Sequence, residues 1–502
     1  MWILGLNRHH TASATLLHKG EIVFHLEEER LSRTKHDDIP YLVLKKSLEY
    51  TDTIDKVAIC GFQSPLSQVE NKLDFYSTII LKELKKEFSW LDWNFNHHET
   101  HAACAFYNSG FNQSIVIVAD GAGSYVDQHR EIESIYYCEY PAKFKLLYKK
   151  LDSEDNSVGL MFEAVSQHLG FGQMDAGKVM GLSSYGTNSN VELSFKQNDY
   201  NADLIYSGLE AKTFKDKADL AYAVQTVTQE RILSLIQHAL TLHPCRNVCI
   251  TGGYGLNCVA NYYYLNKIEN VNLYCEPVSG DSGTSIGAAK LLWHRFSADK
   301  TIRKQTSVYY GSPYEFSIDQ GDTVEYSDVI QKLIEGKVVA MYQGRSESGP
   351  RGLGNRTILF DPTLPNGKDI VNKVKKREEF RPFAGTILKE HANEWFDMRG
   401  LEESPFMMYA VNCRDNFAKM IPSIIHVDGT CRVQTVTKEQ NEHFYNLIQE
   451  FYLQTGVPIL FNTSFNLAGE PLVETPEDAI NTFTNSKIDC LYFPEKKKLI
   501  CK

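Results

Sequence analysis

Two histidines one helical turn apart are the first residues of this sequence whose types and spacing could do chemistry. Within His97–His101 the first and last side chains would share one helix face, as a common cation requires, although a surface helix can show the same pattern. Asp120 follows a short β-branched run, and Asp281 lies in the loop Ser279–Gly283, where an aspartate can also be a turn or cap residue. Two imidazoles and two carboxylates with open positions would suit iron, manganese or zinc better than calcium.

Three glycine-containing segments predict a cleft that binds a nucleotide. Thr251–Asn257 follows the predicted strand Asn247–Ile250, and the others are Ser279–Gly283 and Gly177–Leu182. Glycines let backbone N–H groups approach phosphate, and a helix that begins behind such a loop favours negative charge. One glycine-rich turn would be weak support, but three in one module indicate more than ordinary turns. The residues expected at this site are Lys178, Gly181, Gly252, Gly253 and Asn257.

Basic residues concentrate in one stretch of the second half of the chain. Because the net charge is −11, binding of polyanions would require such a local concentration. The arginine fork matches phosphate oxygens bidentately. The residues that supply the charge are Arg345, Arg351, Arg356, Lys375, Lys376, Arg377 and Arg381. For Lys373–Arg377 a solvated basic face is the alternative.

The composition is that of a globular protein of more than one domain. The chain has 502 residues, of which 43% are hydrophobic and 23% charged. The negative net charge argues against a protein whose main task is to grip a nucleic-acid backbone. The 11 cysteines contain no CxxC pair, which predicts reduced, buried thiols such as Cys60, Cys104, Cys138, Cys249 and Cys258. With no signal-like or membrane-length apolar run, we expect a cytoplasmic protein without membrane contact.

The order of the predicted elements indicates a duplicated α/β module followed by a second domain. The predicted strands are Trp2–Leu6, Ala12–Leu17, Glu21–Leu26, Ile115–Ala119, Ser134–Tyr140, Phe144–Lys149, Asn247–Ile250, Val271–Tyr274 and Val338–Tyr342. Helical periodicity is found over Thr78–Phe88, Ser157–His168, Asp219–Leu242 and Thr284–Leu292. Ser297–Ser307 is polar and aperiodic, so it is the predicted linker.

Motifs from both halves resemble the O-carbamoyltransferases of the NodU/CmcH/TobZ family. In the first half these are Asn7–Ser13, His97–His101, Asp120-Gly121, Gly177–Gly186, Gly252–Asn261 and Gly280–Ala289. In the second half they are Gln343–Arg345, Gly349–Arg356, Arg381–Ala384, His426–Thr430, Asn462–Asn466 and Gly469–Pro471. The resemblance covers essentially the whole chain in the order of the family.

The resemblance implies an α/β protein with a duplicated actin-like (ASKHA, TsaD-like) domain over residues 1–300 and a YrdC-like α/β domain over residues 308–502. In such enzymes the YrdC-like domain makes carbamoyladenylate from carbamoyl phosphate and ATP, with Mg²⁺ accompanying the ATP. The TsaD-like domain binds the adduct beside a metal and passes the carbamoyl group to a hydroxyl. Iron(II) is the expected metal, with manganese or zinc as alternatives.

The resemblance also assigns roles to individual residues. His97, His101, Asp120 and Asp281 match the metal ligands, and His10 matches the histidine near the acceptor, the candidate general base. The residues that match or adjoin the carbamoyl phosphate and nucleotide contacts are Arg345, Arg351, Arg356, Lys375, Arg381, Arg432, Asn462 and Ser464. The chain departs from the family at Thr11, where Asp is frequent, at Gly352, where Ala is usual, and at Ala468, where a basic residue is usual.

The acceptor is not specified by any segment of the sequence. We expect the hydroxyl of a small molecule such as a natural product, sugar or nucleoside. The alternatives are a hydroxymethylated pyrimidine, free or in DNA, which the net charge of −11 disfavours, and threonylcarbamoyl transfer to tRNA. A non-catalytic nucleotide-binding protein is a third class, and retention of the metal and basic residues argues against it. A homodimer is left open.

Overall fold

The computed structural model describes residues 1–60, 82–84, 94–198, 201–210 and 212–502. The first of two compact units contains Met1–Asn257 and Lys267–Gln305, and the second contains Cys258–Asn266 and Thr306–Lys502. The chain therefore leaves the first unit within the predicted linker. Residues 258–266 were predicted to belong to the first domain, but they pack with the second unit. The predicted helix Thr78–Phe88 lies outside the described residues, apart from residues 82–84.

The first sheet of the first unit has five strands in the order β3-β2-β1-β4-β5. Its strands are β1 Trp2–Asn7, β2 Ser13–His18, β3 Glu21–Glu27, β4 Lys56–Cys60 and β5 Asn94–Phe95. β1, β2 and β3 are antiparallel, which confirms the predicted hairpin at Lys19-Gly20, and β1, β4 and β5 are parallel. Since β1 ends at Asn7, the next residues leave the sheet at the carboxyl edge of its parallel strands, where α/β proteins place their sites.

The second sheet of this unit repeats that topology. Its strands are β6 Gln113–Ala119, β7 Tyr125–Val126, β8 His129–Glu139, β9 Lys143–Leu151, β12 Asn247–Thr251 and β13 Asn272–Cys275. The order β9-β8-β6-β12-β13 has the same pattern of antiparallel and parallel neighbours as the first sheet, and β7 adds a short pairing to β8. A separate hairpin pairs β10 Glu192–Asn198 with β11 Asn201–Ser207. The repeated topology is what a duplicated α/β module predicts.

Helices pack on the two sheets. Those described up to Gln305 are α1 Glu28–Ser32, α2 Tyr41–Ser47, α3 His97–Ser109, α4 Val158–His168, α5 Ala176–Ser183, α6 Phe214–Leu242, α7 Cys258–Lys267 and α8 Ser282–Ser297. One apolar core joins both sheets to α3 and α8, and it includes Ile3, Ala102, Val116 and Ala288. At Gly287 a Cβ atom would lie 1.9 Å from the backbone oxygen of Thr100, so only glycine permits this close approach of the two helices. The contact brings the first turn of α8 towards the first turn of α3.

The second unit is built on a nine-stranded mixed sheet in the order β14-β22-β21-β15-β16-β20-β17-β19-β18. Its strands are β14 Asp322–Thr323, β15 Val339–Tyr342, β16 Arg356–Phe360, β17 Ala384–Leu388, β18 Ala410–Asn412, β19 Thr430–Val436, β20 Ile459–Ser464, β21 Cys490–Phe493 and β22 Lys498–Cys501. Its helices are α9 Tyr326–Ile334, α10 Gly367–Lys375, α11 Ala392–Trp395, α12 Asp415–Ala418, α13 Glu442–Thr455 and α14 Pro476–Thr484, together with most of α7. On α7, Asn261 Nδ2 donates to the Met408 carbonyl and Tyr262 Oη to the Asp397 carbonyl.

The cysteines follow the predicted pattern with one exception. The five that the sequence singled out are buried free thiols, as are Cys245, Cys275, Cys413 and Cys431. The expectation of reduced thiols is wrong for Cys490 and Cys501, which face each other across β21 and β22 and form a disulfide. Cross-strand pairing brings these two residues together, and their spacing in the sequence gave no sign of it. In the described part of the chain, no helix has the length and apolar character needed to cross a membrane.

Candidate functional site

The predicted histidine pair lies on the first turns of α3. The Asn96 side chain caps this helix by accepting from the Glu99 backbone N–H at 2.9 Å, so the helix begins at His97. His97 and His101 are both completely buried, and their Nε2 atoms are 3.1 Å apart. Two imidazole nitrogens at this distance need a proton or a cation between them.

The two predicted aspartates complete the cluster from different elements. Asp120 directly follows β6, and its Oδ2 is 3.1 Å from His97 Nε2 and 3.6 Å from His101 Nε2. Asp281 directly precedes α8, and its Oδ1 is 3.6 Å and 3.5 Å from the same two nitrogens. Both carboxylates are buried, at 6% and 4% exposure. The structure therefore brings all four predicted metal ligands together.

The electrostatics of this cluster require positive charge. Burial opposes a charge on His97, but the Asp281 and Asp120 carboxylates outweigh it and raise the pKa of His97 to about 10. Burial likewise opposes ionisation of Asp120 and Asp281, yet the neighbouring histidines hold both pKa values well below the usual range. Two buried carboxylates thus stay ionised, and protons on the histidines or a divalent cation can neutralise them.

The donor set fits a divalent transition metal. One ligand atom from each of the four residues lies within 4.8 Å of the others. Two ligands about 2.1 Å from one ion would lie about 3.0–4.2 Å apart, depending on the angle at the metal. The measured separations of 3.1–3.6 Å fall in that range. Mixed nitrogen and oxygen ligation suits iron, manganese or zinc.

Supporting residues that the sequence did not single out hold the first turn of α3. Ser124 Oγ accepts the His97 backbone N–H at 3.0 Å. Glu131 Oε1 accepts the backbone N–H groups of Ser124 at 3.2 Å and His98 at 3.3 Å. The His98 ring is 2.8 Å from Ser134 Oγ. Glu131 lies in β8 among both polar and apolar residues, so the sequence gave little sign of this role, and its partners come from distant positions.

His10 lies on the outer side of Asp281. Its Nε2 is 3.4 Å from Asp281 Oδ2, and its side chain is 40% exposed, so it can meet an incoming molecule. His9, which the sequence analysis did not assign, is 3.8 Å from the same carboxylate oxygen. Thr11 adopts a positive φ of 57°, an unusual backbone conformation for a β-branched residue, and Asn7 Nδ2 donates to its carbonyl at 3.2 Å.

The glycine loop after β12 adjoins the metal cluster. Gly252 has φ +85°, and a Cβ atom there would lie 2.3 Å from the Ala119 carbonyl, so the position requires glycine. The backbone N–H of Gly253 donates to Asp120 Oδ1 at 2.9 Å. Asp120 therefore faces the histidines with one oxygen and the predicted phosphate loop with the other. The Asn257 side chain exchanges hydrogen bonds with Gln225 and helps to fix this loop.

The other two predicted nucleotide residues lie on α5. Lys178 Nζ is 3.0 Å from the Asp175 carboxylate and 5.4 Å from the centroid of the Phe171 ring. Gly181 is buried one turn further along the same helix. The helix therefore presents Lys178 from a fixed position, with its charge already balanced in part by Asp175.

In the second unit, Arg351, Arg381 and Arg432 lie close enough for their charges to repel. Burial lowers the pKa of Arg351, and the charges of Arg432 and Arg381 help to lower it to about 9. Burial and the same two charges hold the pKa of Arg377 well below its usual value. Arg381 is 3.6 Å from Glu378. A partly buried group of like charges favours a bound anion, so this arrangement suits phosphate.

The basic run at the end of α10 has two kinds of residue. Lys373 and Lys376 are exposed, as in a solvated face, whereas Lys375 is buried. Lys375 Nζ donates to the Ser464 carbonyl and to Asn466 Oδ1, so it shapes the loop after β20. The Ala468 backbone N–H donates to the Lys375 carbonyl at 2.9 Å, which places this position beside the basic group.

Asn462 is part of a buried polar network beneath that loop. Its Nδ2 is within hydrogen-bond distance of the Gly352 carbonyl, Thr386 Oγ1 and Gln434 Oε1, and its Oδ1 accepts from Thr357 Oγ1. The amide is therefore satisfied by protein groups. Ser464 Oγ donates to Asn466 Oδ1 at 2.6 Å and is half-buried.

Two arginines that the sequence assigned to phosphate binding contact backbone carbonyls of the second unit. The Arg356 guanidinium is completely buried over the Tyr342 ring, and its nitrogens donate to four backbone carbonyls, those of Gln343, Gly344, Asn355 and Glu474. These contacts occupy all five of its N–H groups, so the predicted phosphate contact of Arg356 is corrected. Arg345 donates to the carbonyls of Tyr310 and Gly311.

Glu347 is a buried residue that sequence reasoning missed. Its Oε1 accepts the backbone N–H groups of Leu353 at 2.7 Å, Asn355 at 2.8 Å and Arg356 at 3.2 Å. One carboxylate thus folds the segment that carries Arg351 around itself. An acidic residue just before a Gly-Pro-Arg motif was the only available signal.

Comparison with known proteins matches both halves of the chain to the same family. The family model described as carbamoyltransferase N-terminus matches residues 71–290, and that described as carbamoyltransferase C-terminus matches residues 330–498. Nodulation protein NolNO of Sinorhizobium fredii is 30% identical over 96% of this chain and 78% of its own length. The 3'-hydroxymethylcephem-O-carbamoyltransferase of Amycolatopsis lactamdurans is 31% identical over 61% of each chain. HypF of T. kodakarensis aligns with a TM-score of only 0.38 at 13% identity, over 59% of this chain and 48% of that one, and carries no argument.

Proposed function

Because this chain belongs to the carbamoyltransferase family, with the NodU and CmcH type of O-carbamoyltransferase among its relatives, it is a transferase, and we propose a specific two-step reaction for it. The second unit would make carbamoyladenylate from carbamoyl phosphate and ATP. The first unit would transfer the carbamoyl group from this adduct to the hydroxyl of a small molecule.

The observation that carries the proposal is the double contact of Asp120. One of its oxygens lies among the four predicted metal ligands, and the other accepts the N–H of Gly253 in the predicted phosphate loop. A nucleotide phosphate bound at that loop would therefore lie beside the cation. This juxtaposition supports an adenylated substrate rather than a metal site or a nucleotide site alone.

The arginine group of the second unit supports the first step. Carbamoyl phosphate and ATP repel each other, and Arg351, Arg381 and Arg432 would offset that repulsion by contacts to their phosphates. Arg377 would add to the field from its position over the Phe383 ring, 4.3 Å from the ring centroid. Water would first release phosphate from carbamoyl phosphate, and the resulting carbamate would attack the α-phosphorus of ATP and release pyrophosphate.

His10 and the four-residue cluster support the second step. The His10 imidazole is the candidate base for the acceptor hydroxyl, because it is half-exposed on the outer side of Asp281. A divalent cation on the four ligands would stabilise charge that develops on an oxygen of the adduct. AMP is a good leaving group, so activation in one unit serves transfer in the other.

The acceptor we propose is a small hydroxylated molecule. The cephem relative is named for transfer to a hydroxymethyl group of a small molecule. The net charge of −11 disfavours a nucleic-acid acceptor.

The experiment that tests the proposal measures pyrophosphate released from ATP by the purified chain. We expect release that depends on carbamoyl phosphate and no release with bicarbonate and threonine in its place. Release only with threonine and bicarbonate would identify a threonylcarbamoyl enzyme instead. Absence of release under both conditions would contradict the adenylation step. A mass screen of candidate alcohols for one added carbamoyl group then identifies the acceptor.

A further inference from the structure

Asp281 has histidines on both sides of its carboxylate. Its Oδ1 faces His97 and His101, at 3.6 Å and 3.5 Å from their Nε2 atoms. Its Oδ2 faces the other way, 3.4 Å from His10 Nε2 and 3.8 Å from His9 Nδ1. Oδ2 is buried and has no hydrogen-bond partner among the described residues. The outer half of this carboxylate therefore points at two imidazoles without the donor that a buried oxygen requires.

The outer three residues have the separations of a metal site. One ligand atom each from His9, His10 and Asp281 lies within 4.8 Å of the others. The 3.4 Å and 3.8 Å separations fall within the range of about 3.0–4.2 Å expected for ligands about 2.1 Å from a shared ion. His9 Nδ1 is also 2.8 Å from His10 Nδ1, and a cation would replace that contact as the partner of His9.

The loop that carries the two histidines is held in an uncommon shape. Thr11 has φ 57°, its Oγ1 donates to the His10 carbonyl at 2.6 Å, and Asn7 Nδ2 donates to the Thr11 carbonyl. A strained conformation of a β-branched residue persists where the surroundings impose it, commonly at a functional site. Here the conformation directs both rings to Asp281.

We propose that His9, His10 and Asp281 bind a second divalent transition-metal cation, which Asp281 bridges to the cation of the inner four residues. The outer site differs from the inner one in access. The side chains of His9 and His10 are 33% and 40% exposed, whereas the inner ligands are buried. Three protein ligands leave positions open for water or for an acceptor hydroxyl.

A cation at the outer site changes how the acceptor is activated. His10 would then be a ligand of the cation, which would supply Lewis-acid chemistry that makes a nearby hydroxyl more acidic. The free-imidazole role and the ligand role of His10 thus predict different numbers of bound ions. The role of the outer cation in activating the acceptor rests on the proposed function. Binding of the cation does not, because it needs no acceptor.

The test counts Mn²⁺ bound to the metal-free full chain by equilibrium dialysis and records electron paramagnetic resonance spectra. We expect two ions per chain and a spin-coupled spectrum, because one carboxylate bridges them. His9→Ala should bind one ion and give the uncoupled spectrum of an isolated Mn²⁺. His129→Ala removes an exposed histidine of the same unit, paired with Asp152, and should still bind two.

A conservative variant separates loss of a ligand from loss of structure. His9→Asp supplies another ligand type and should restore the second ion. One ion in the unaltered chain, or two in His9→Ala, would overturn the proposal. Pyrophosphate release that depends on carbamoyl phosphate is assigned to the second unit. Its absence in a chain that binds two ions would therefore contradict the proposed function and leave the outer site intact.

Discussion

Arg351 lies in the loop before β16 and Arg356 is the first residue of that strand, and the two carry the same charge in different surroundings. Arg356 is completely buried and its guanidinium is saturated by backbone carbonyls, so it acts as a cross-link of the second unit. Burial, together with the charges of Arg432 and Arg381, lowers the pKa of Arg351 to about 9, so a bound anion would stabilise its charge. The sequence treats the two arginines alike, but their contacts predict different consequences when each is removed.

Replacement of each arginine by alanine should separate these two roles. Arg351→Ala should abolish pyrophosphate release that depends on carbamoyl phosphate and leave thermal stability nearly unchanged. Arg356→Ala should instead destabilise the chain by about 3–5 kcal/mol, because it leaves buried carbonyl oxygens without donors. Denaturant unfolding and the pyrophosphate assay measure the two effects.

Lys373→Ala is the matched control, since Lys373 is an exposed basic residue of the same region. It should change neither quantity. Full pyrophosphate release by Arg351→Ala would show that the arginine group does not bind the substrates. Unchanged stability of Arg356→Ala would contradict its role as a cross-link.

Residue types and local spacing made a metal site plausible, and the family resemblance assigned its four ligands. His97 and His101 are four apart, so any helix places them together, and the ends of parallel strands commonly carry such carboxylates as Asp120. Glu131, Glu347 and His9 escaped prediction because their roles depend on partners distant in the sequence or on the shape of a loop. The phosphate assignment of Arg356 is corrected because its complete burial cannot be read from its place beside a glycine-rich motif.

Among the elements, the approach of α3 and α8 decides whether the metal ligands meet. His97 and His101 are on the first turns of α3, and Asp281 directly precedes α8. The helices come close enough only because Gly287 has no side chain opposite the Thr100 carbonyl. The geometry of the site is therefore set by a residue that does not touch it.

Gly287→Ala should weaken metal binding without altering any ligand. A Cβ atom 1.9 Å from the Thr100 oxygen forces the helices apart, which should cost about 1–3 kcal/mol of stability. The substitution should move Asp281 away from His97 and His101. Mn²⁺ affinity should then fall roughly 10- to 100-fold, as it does when residues that orient metal ligands are lost. Isothermal titration with Mn²⁺ measures the affinity.

Gly177→Ala provides the control for this substitution. No atom lies within 4 Å of a Cβ atom at that position, so affinity and stability should change little. Equal Mn²⁺ affinities of Gly287→Ala and the unaltered chain would show that the helix contact does not set the site.

In the whole molecule, the two units contain opposite charge arrangements. Buried carboxylates and histidines dominate the site of the first unit, and arginines dominate that of the second. The repeated order of the two sheets agrees with the duplicated α/β module, which was predicted because strand hairpins, helices and a second set of strands follow one another in the sequence. The packing of Cys258–Asn266 with the second unit was not predicted, because the sequence of a helix does not show which unit it packs against.

This division predicts that removal of the metal, or of its ligands, abolishes carbamoyl transfer and leaves adenylation intact. A chelator should lower the melting temperature, since a cation at 100 times its dissociation constant stabilises a folded chain by about 2.7 kcal/mol. His97→Ala combined with His101→Ala should bind no inner metal, and a chelator should shift its melting temperature less than that of the unaltered chain. The double variant should retain pyrophosphate release that depends on carbamoyl phosphate, because the arginine group is intact.

With an acceptor found by the mass screen, the double variant should form no carbamoylated product. Transfer at the unaltered rate by the double variant would refute the metal assignment, whereas loss of both steps would show that adenylation also depends on the first unit.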